Sequence, residues 1–155
     1  MNGNVVRLFL RGAAGETPGP VDQVSALVGN GLADDYNGKR ASQKERQVLL
    51  THVGDLALVG LKPGDLREQI TVDLPGLMTL PRGARLEIGE VVLHIVRDCE
   101  PCTHIGALVG HADPVKFQRE LVGRRGMFGS VAEVSGAGCI SVGDAVRLLE
   151  PAPQA

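Results

Sequence analysis

The chain has 155 residues, with 16 lysines and arginines against 18 aspartates and glutamates, a formal net charge of −2. That length fits one domain with an ordinary apolar core and no need of staples. The near-neutral balance, and four scattered aromatics (Phe9, Tyr36, Phe117 and Phe128), exclude the basic face and stacking platform of a nucleic-acid binder.

Hydrophobic residues make up 43% and charged residues 22%, which places the chain among globular rather than disordered or fibrous proteins. Apolar runs such as Leu56–Val59 fall far short of the ~20 residues that cross a bilayer, so no membrane segment is expected. The N-terminus has no charged segment followed by a long apolar region, and no signal peptide is read there. Cys99, Cys102 and Cys139 are an odd, sparse set, unlike a secreted disulfide framework. The expected compartment is the reducing cytoplasm.

Twenty-one glycines and nine prolines punctuate short runs of Val, Ile and Leu, a pattern of many strands and few helices. A first strand is predicted over Val5–Leu10, followed by a turn-rich stretch from Gly12 to Pro20 and a weaker strand over Val24–Val28. Asp34 to Glu45 reads as a long loop, and long loops in small domains are often functional. Arg46–Thr51 resumes as a strand, and His52–Gly60 as a short helix ended by Gly60 and Pro63. Leu66–Asp73 approaches strand alternation. Ala84–Arg97 is the clearest hairpin, turning at Gly89-Glu90. Asp113-Pro114 is a helix start, with Asp113 as N-cap and the helix continuing through Leu121. Met127–Val134, Cys139–Ser141 and Ala145–Leu149 read as closing strands. The sum is a mainly β, antiparallel, barrel-like domain over residues 1–150 with one to three short helices, and a loose tail at 151–155.

The segment with most chemistry in it runs from Arg97 to Gly106 and contains Cys99-Glu100-Pro101-Cys102-Thr103-His104. A thiol reacts or ligates as thiolate, which nearby cations and helix N-terminal amides favour. If a helical turn begins at Thr103, Cys102 stands at its positive end. Cys102 as a small buried hydrophobe is the plain alternative. A thiol–disulfide pair with Cys99 lacks the strand–helix alternation that accompanies such motifs. A zinc site from Cys99, Cys102, His104 and distant Cys139 would be an unusual ligand set. His52, His94 and His111 show no metal-ligand spacing. Lys39, Arg40, Lys44, Arg46, Arg67, Arg124 and Arg125 could converge on an anionic ligand, with arginine giving bidentate contacts, or could each be solvated surface. Phosphate-loop and dinucleotide glycine patterns are absent.

Several segments, in order, resemble the MOSC family, named for the C-terminal domain of molybdenum cofactor sulfurases. Gly31-Leu32-Ala33-Asp34-Asp35 is similar to its Gly-Leu-x-Gly-Asp segment, and Arg46–Leu50 follows. Leu66-Arg67-Glu68-Gln69-Ile70-Thr71-Val72 is similar to its Leu-Arg-Glu-Asn-Ile-Thr-Val strand. Leu86–Gly89, Pro101-Cys102, Arg124–Gly126 and Ile140–Asp144 complete the series, over about three-quarters of the chain. Departures are Asp34 and Asn37, where the family often has Gly and His, and Gln69, where it has Asn.

The resemblance implies a β-barrel-like fold and a molybdenum cofactor, molybdopterin, with Cys102 ligating the metal or carrying sulfur. It implies a reductase of small N-hydroxylated compounds, or a role in cofactor sulfuration; a family-level association with pyridoxal phosphate also exists. Molybdopterin carries a phosphate and a dithiolene, so it needs cations at one end and a thiolate at the metal. Arg67 and Gln69, two apart on the predicted strand, would face one ligand together, with Arg46 and Lys39 nearby and Asp35 on the adjoining loop. Asp34 would oppose an anionic ligand if it pointed inward. With no flavin or iron–sulfur module visible, a separate electron-transfer protein or sulfur donor is implied. A barrel domain that has lost its site is the third reading.

Overall fold

Eleven strands and three short α-helices make up the described residues, 1–38 and 45–149, of a computed structural model. The strands are β1 (Asn2–Leu10), β2 (Gly19–Val21), β3 (Gln23–Leu27), β4 (Gly31–Leu32), β5 (Val48–His52), β6 (Ile70–Asp73), β7 (Arg85–Ile88), β8 (Val91–Asp98), β9 (Met127–Val134), β10 (Cys139–Ser141) and β11 (Ala145–Leu149). The helices are α1 (Val53–Leu58), α2 (Thr103–Leu108) and α3 (Pro114–Glu120).

Seven strands close into a barrel in the order β1-β11-β7-β8-β9-β5-β6 and back to β1. Every pair is antiparallel except β5–β6, whose parallel register needs the crossover that α1 begins. Closure depends on β1, which pairs β11 at its start, β6 in its middle and β2 at its end. A register shift between Val5 and Arg7 inserts Val6 as an extra residue. That extra residue resets the inward phase, so Val5 and Leu8 both enter the core. Two further shifts, between Val92 and Leu93 and between Ile95 and Arg97, accompany the long β8–β9 pair. β10, β3 and β4 form a separate small sheet.

The barrel interior is filled by Leu8, Leu50, Ile70, Leu86, Ile88, Leu93 and their neighbours. A second cluster, Leu56, Leu66, Ile105, Phe117 and Leu121, packs the three helices together. A third, Leu49, Val96 and Phe128, comes from β5, β8 and β9 with Cys99 packed against it. Because β5 is buried on both sides, Leu50 goes to the interior and Leu49 to this outer cluster. Asp113 caps α3 by accepting from the Lys116 N–H at 3.1 Å, and Pro114 opens the helix.

The expected mainly antiparallel barrel with up to three short helices is the observed fold. The hairpin, α3 and the closing strands fall close to their predicted bounds. Leu66–Asp73 differs, since β6 begins only at Ile70 and Leu66–Gln69 form a turn and its exit. The tail reading at 151–155 lies outside the described residues. Among the described residues, no helix is long and apolar enough to cross a membrane.

Gly126, just before β9, has φ 119°, and a Cβ there would lie 2.7 Å from the Leu50 carbonyl oxygen. Gly126→Ala therefore combines backbone strain with a clash against the central strand. An expected loss of about 2–3 kcal/mol would appear as a lowered melting temperature in calorimetry.

Candidate functional site

A cleft of about 480 Å³ opens over the outer cluster, within the range of small-ligand sites. Its floor is Leu49 and Phe128, register partners across β5 and β9. Ile105 and Leu108 of α2 line one side. Cys102 is exposed at the N-cap of α2, and its backbone is extended, with φ −132° and ψ 168°. The strand β8 ends at Asp98, and the Cys99 N–H donates to the Gly126 carbonyl at 2.8 Å. That bond continues the β8–β9 ladder by one step and sets Arg125 beside Cys99.

Four arginines line the cleft: Arg11, Arg46, Arg67 and Arg125. No carboxylate does, and none of the four has an acidic partner among the described residues. Glu45 pairs with Arg82 and Arg97 instead. A chain of net charge −2 thus concentrates positive charge in one hollow, which raises the local concentration of anions. Arg46 lies 5.5 Å from the centre of the Phe128 ring. Arg125 Nη1 is buried with no hydrogen-bond partner among the described residues. Burial, and the charge of Arg11, both lower the pKa of Arg67 from its ordinary value.

Arg11 is held from behind by a carboxylate that does not line the cleft. Asp35 is 1% exposed. Its Oδ1 accepts from the Arg11 N–H at 3.0 Å, and its Oδ2 accepts from the Asn37 N–H at 3.1 Å and from Gln69 Nε2 at 3.0 Å. Gln69 Oε1 in turn accepts from the Leu49 N–H at 2.8 Å. Asp35 and Gln69 therefore tie together the segments that present Arg11, Asn37 and Leu49. Neither lines the cleft. The expectation that Arg67 and Gln69 share a strand face is corrected here. Arg67 lies in the turn before β6 with φ 61°, and its Nη1 donates to the Glu16 carbonyl at 2.8 Å. Asp34 is exposed and outside the cleft.

Of the expected basic group, Arg46, Arg67 and Arg125 converge. Arg124 does not line the cleft; its Nη1 donates to the Glu120 carbonyl at 2.9 Å. Lys39, Arg40 and Lys44 lie outside the described residues. Sequence reasoning missed Arg11, which has no motif around it and reaches the cleft only because β1 runs past β6. His104 and Cys99 also line the cleft. His52 and His111 accept from the N–H groups of Leu74 and Asp113. Among the described residues, no group of three or more His, Cys, Asp or Glu is placed to hold a metal.

The two cleft thiols are unequal. Burial pushes the Cys99 thiol up, and the neighbouring Cys102 adds to this, against the pull of Arg125, Arg46 and Arg97. Cys99 is half-buried while Cys102 is exposed. Iodoacetamide near neutral pH is expected to label Cys102 well before Cys99, since thiolate and access set the rate. A mass-spectrometric time course on the Asp98–Lys116 tryptic peptide reads the order, and equal rates would contradict this geometry.

The model of the MOSC domain matches residues 37–147. The chain belongs to the MOSC domain family. Among solved structures, this MOSC domain is similar to the YuaD protein from Bacillus subtilis, with TM-score 0.80 and 20% identity over 94% of each chain. It is also similar to YiiM from Escherichia coli, with TM-score 0.69 and 15% identity over 99% of this chain and 72% of that one. YiiM from Geobacillus stearothermophilus gives TM-score 0.68 and 11% identity over 96% and 75%. At these identities the likeness concerns the fold. No curated protein matches the chain in sequence.

Proposed function

We propose that this MOSC domain binds a molybdenum cofactor in the cleft, with Cys102 as the protein ligand to the metal, and reduces small N-hydroxylated compounds. The observation that carries the reading is an exposed thiol sharing one cleft with four arginines that have no acidic partner among the described residues. The residues fit the group. A cofactor that brings its own dithiolene asks the protein for one thiolate, and the described residues offer no three-ligand metal cluster. Its phosphate asks for cations, which Arg11 and Arg67, both lining the cleft, supply.

When bound, the cofactor supplies a two-electron reduction of the N–O bond, the oxygen leaving as water with two protons. The chain itself binds and orients. Arg11 and Arg67 hold the phosphate, Arg46 adds charge above Phe128, and Leu49 with Phe128 gives a planar group an apolar floor. Asp35 and Gln69 position this wall from behind. Electrons come from a separate electron-transfer protein, and the expected setting is the cytoplasm. The test is to purify the protein from a molybdate-fed host and assay metal and pterin. About one of each per chain is expected, and absence of both refutes the reading.

The exposure of Cys102 also suits a second reading, a sulfur carrier that takes a persulfide from a separate donor. Mass spectrometry after incubation with a cysteine desulfurase decides it, since a carrier gains sulfur at Cys102. A site lost from the fold is disfavoured by the same exposure and by the cationic lining.

A further inference from the structure

The positive charge in the cleft is divided between two ends. Arg67 is bound to the Glu16 carbonyl, and the neighbouring charge that acts on it is Arg11. Arg125 stands at the opposite end, where the Cys99–Gly126 backbone bond brings it alongside the thiols. The cations felt by the Cys99 thiol are Arg125 first, then Arg46 and Arg97, and not Arg11 or Arg67. Arg125 Nη1 is also a buried donor without an acceptor among the described residues. That atom is closed off from solvent, so it is the exposed remainder of the half-buried Arg125 side chain, lining the cleft with no acidic partner among the described residues, that is open to an anion. Guanidinium donors match the two oxygens of a carboxylate.

We propose that Arg125 forms a second anion subsite at the thiol end of the cleft, and that the N-hydroxylated substrate taken there carries a carboxylate. This rests on the cofactor reading, in which Arg11 and Arg67 already serve the phosphate. Arg125 then receives the acid group of the substrate, beside the atom where the reaction occurs. The substrate is selected by charge as well as by its N–O bond.

Two experiments separate this proposal from the cofactor reading. In metal-free protein, benzoate is expected to slow iodoacetamide labelling of Cys102, while neutral benzamide does not. The protection disappears in Arg125→Gln and survives in Arg67→Gln. In protein loaded in a molybdate-fed host, 4-carboxybenzamidoxime and benzamidoxime are compared. Arg125→Gln should lower kcat/KM for the carboxylate by about tenfold or more, as expected for a lost charged hydrogen bond, and leave the neutral compound nearly unchanged. If Arg125→Gln does not fold, Arg125→Lys is read instead, with partial loss expected because the charge stays and the fork goes. Benzoate protection that is absent, or indifferent to Arg125, overturns the subsite. So does loss of metal and pterin from Arg125→Gln, since the guanidinium would then serve the cofactor. Wild-type protein without metal defeats the cofactor reading, while the labelling arm still decides whether Arg125 binds a carboxylate.

Discussion

Cys102→Ser is expected to emerge from a molybdate-fed host with at most a small fraction of the wild-type molybdenum and with no measurable reduction of benzamidoxime. The serine is nearly isosteric, but its hydroxyl is a hard, weakly acidic group where a soft thiolate is required. Cys102 is exposed and its side chain makes no capping hydrogen bond to α2. Stability should therefore change by no more than about 0.5 kcal/mol, as for most surface positions. Loss of metal at unchanged melting temperature would mark Cys102 as a ligand. Full metal content in the variant would remove it from that role.

Asp35→Ala should act in the opposite manner, through stability and through the arginines together. The carboxylate is almost wholly buried and accepts three hydrogen bonds, two from backbone and one from Gln69. Truncation leaves the N–H groups of Arg11 and Asn37 and the Gln69 amide without their acceptor. Each unsatisfied buried donor costs roughly 1–3 kcal/mol, and water entering the gap recovers part of that. A net loss of about 3 kcal/mol or more is expected in urea titrations. Arg11 and Asn37 lose their tether at the same time, so cofactor retention should fall as well. Asp35→Asn is the milder variant, since one oxygen remains to accept, although the new NH2 opposes a donor. A destabilisation below about 1 kcal/mol for Asp35→Ala would mean that the network does not hold this wall.

Much of the fold was legible because its signals are local. The Gly89-Glu90 turn between alternating runs marks the β7–β8 hairpin, and Asp113-Pro114 marks the start of α3. Closure of the barrel was not legible in the same way. It depends on the Val6 bulge and on β1 meeting three partners, which are long-range pairings with no short motif. The short strands β2 and β4 are likewise defined by their neighbours rather than by their own residues.

The site divides along the same line. Cys102 stood out because Pro101-Cys102 precedes a short helix, and Arg67 because it falls in the Leu66–Val72 segment, read as a strand that resembles the family's. The inference that Arg67 and Gln69 act together failed on backbone conformation. Arg67 adopts a left-handed φ that non-glycine residues seldom take, so the period-two rule did not apply to it. Gln69 and Asp35 pair with each other behind the cleft, and only three-dimensional proximity reveals that. The same is true of Arg11, 35 residues before Arg46 in sequence and yet on the same cleft.

The most direct test of the central claim is X-ray absorption at the molybdenum edge of the purified, loaded protein. A sulfur neighbour of the metal present in the wild type and missing from the small metal fraction that Cys102→Ser retains is the predicted result. Identical spectra from metal-loaded samples of both proteins would contradict it, because the metal would then be held without this thiolate.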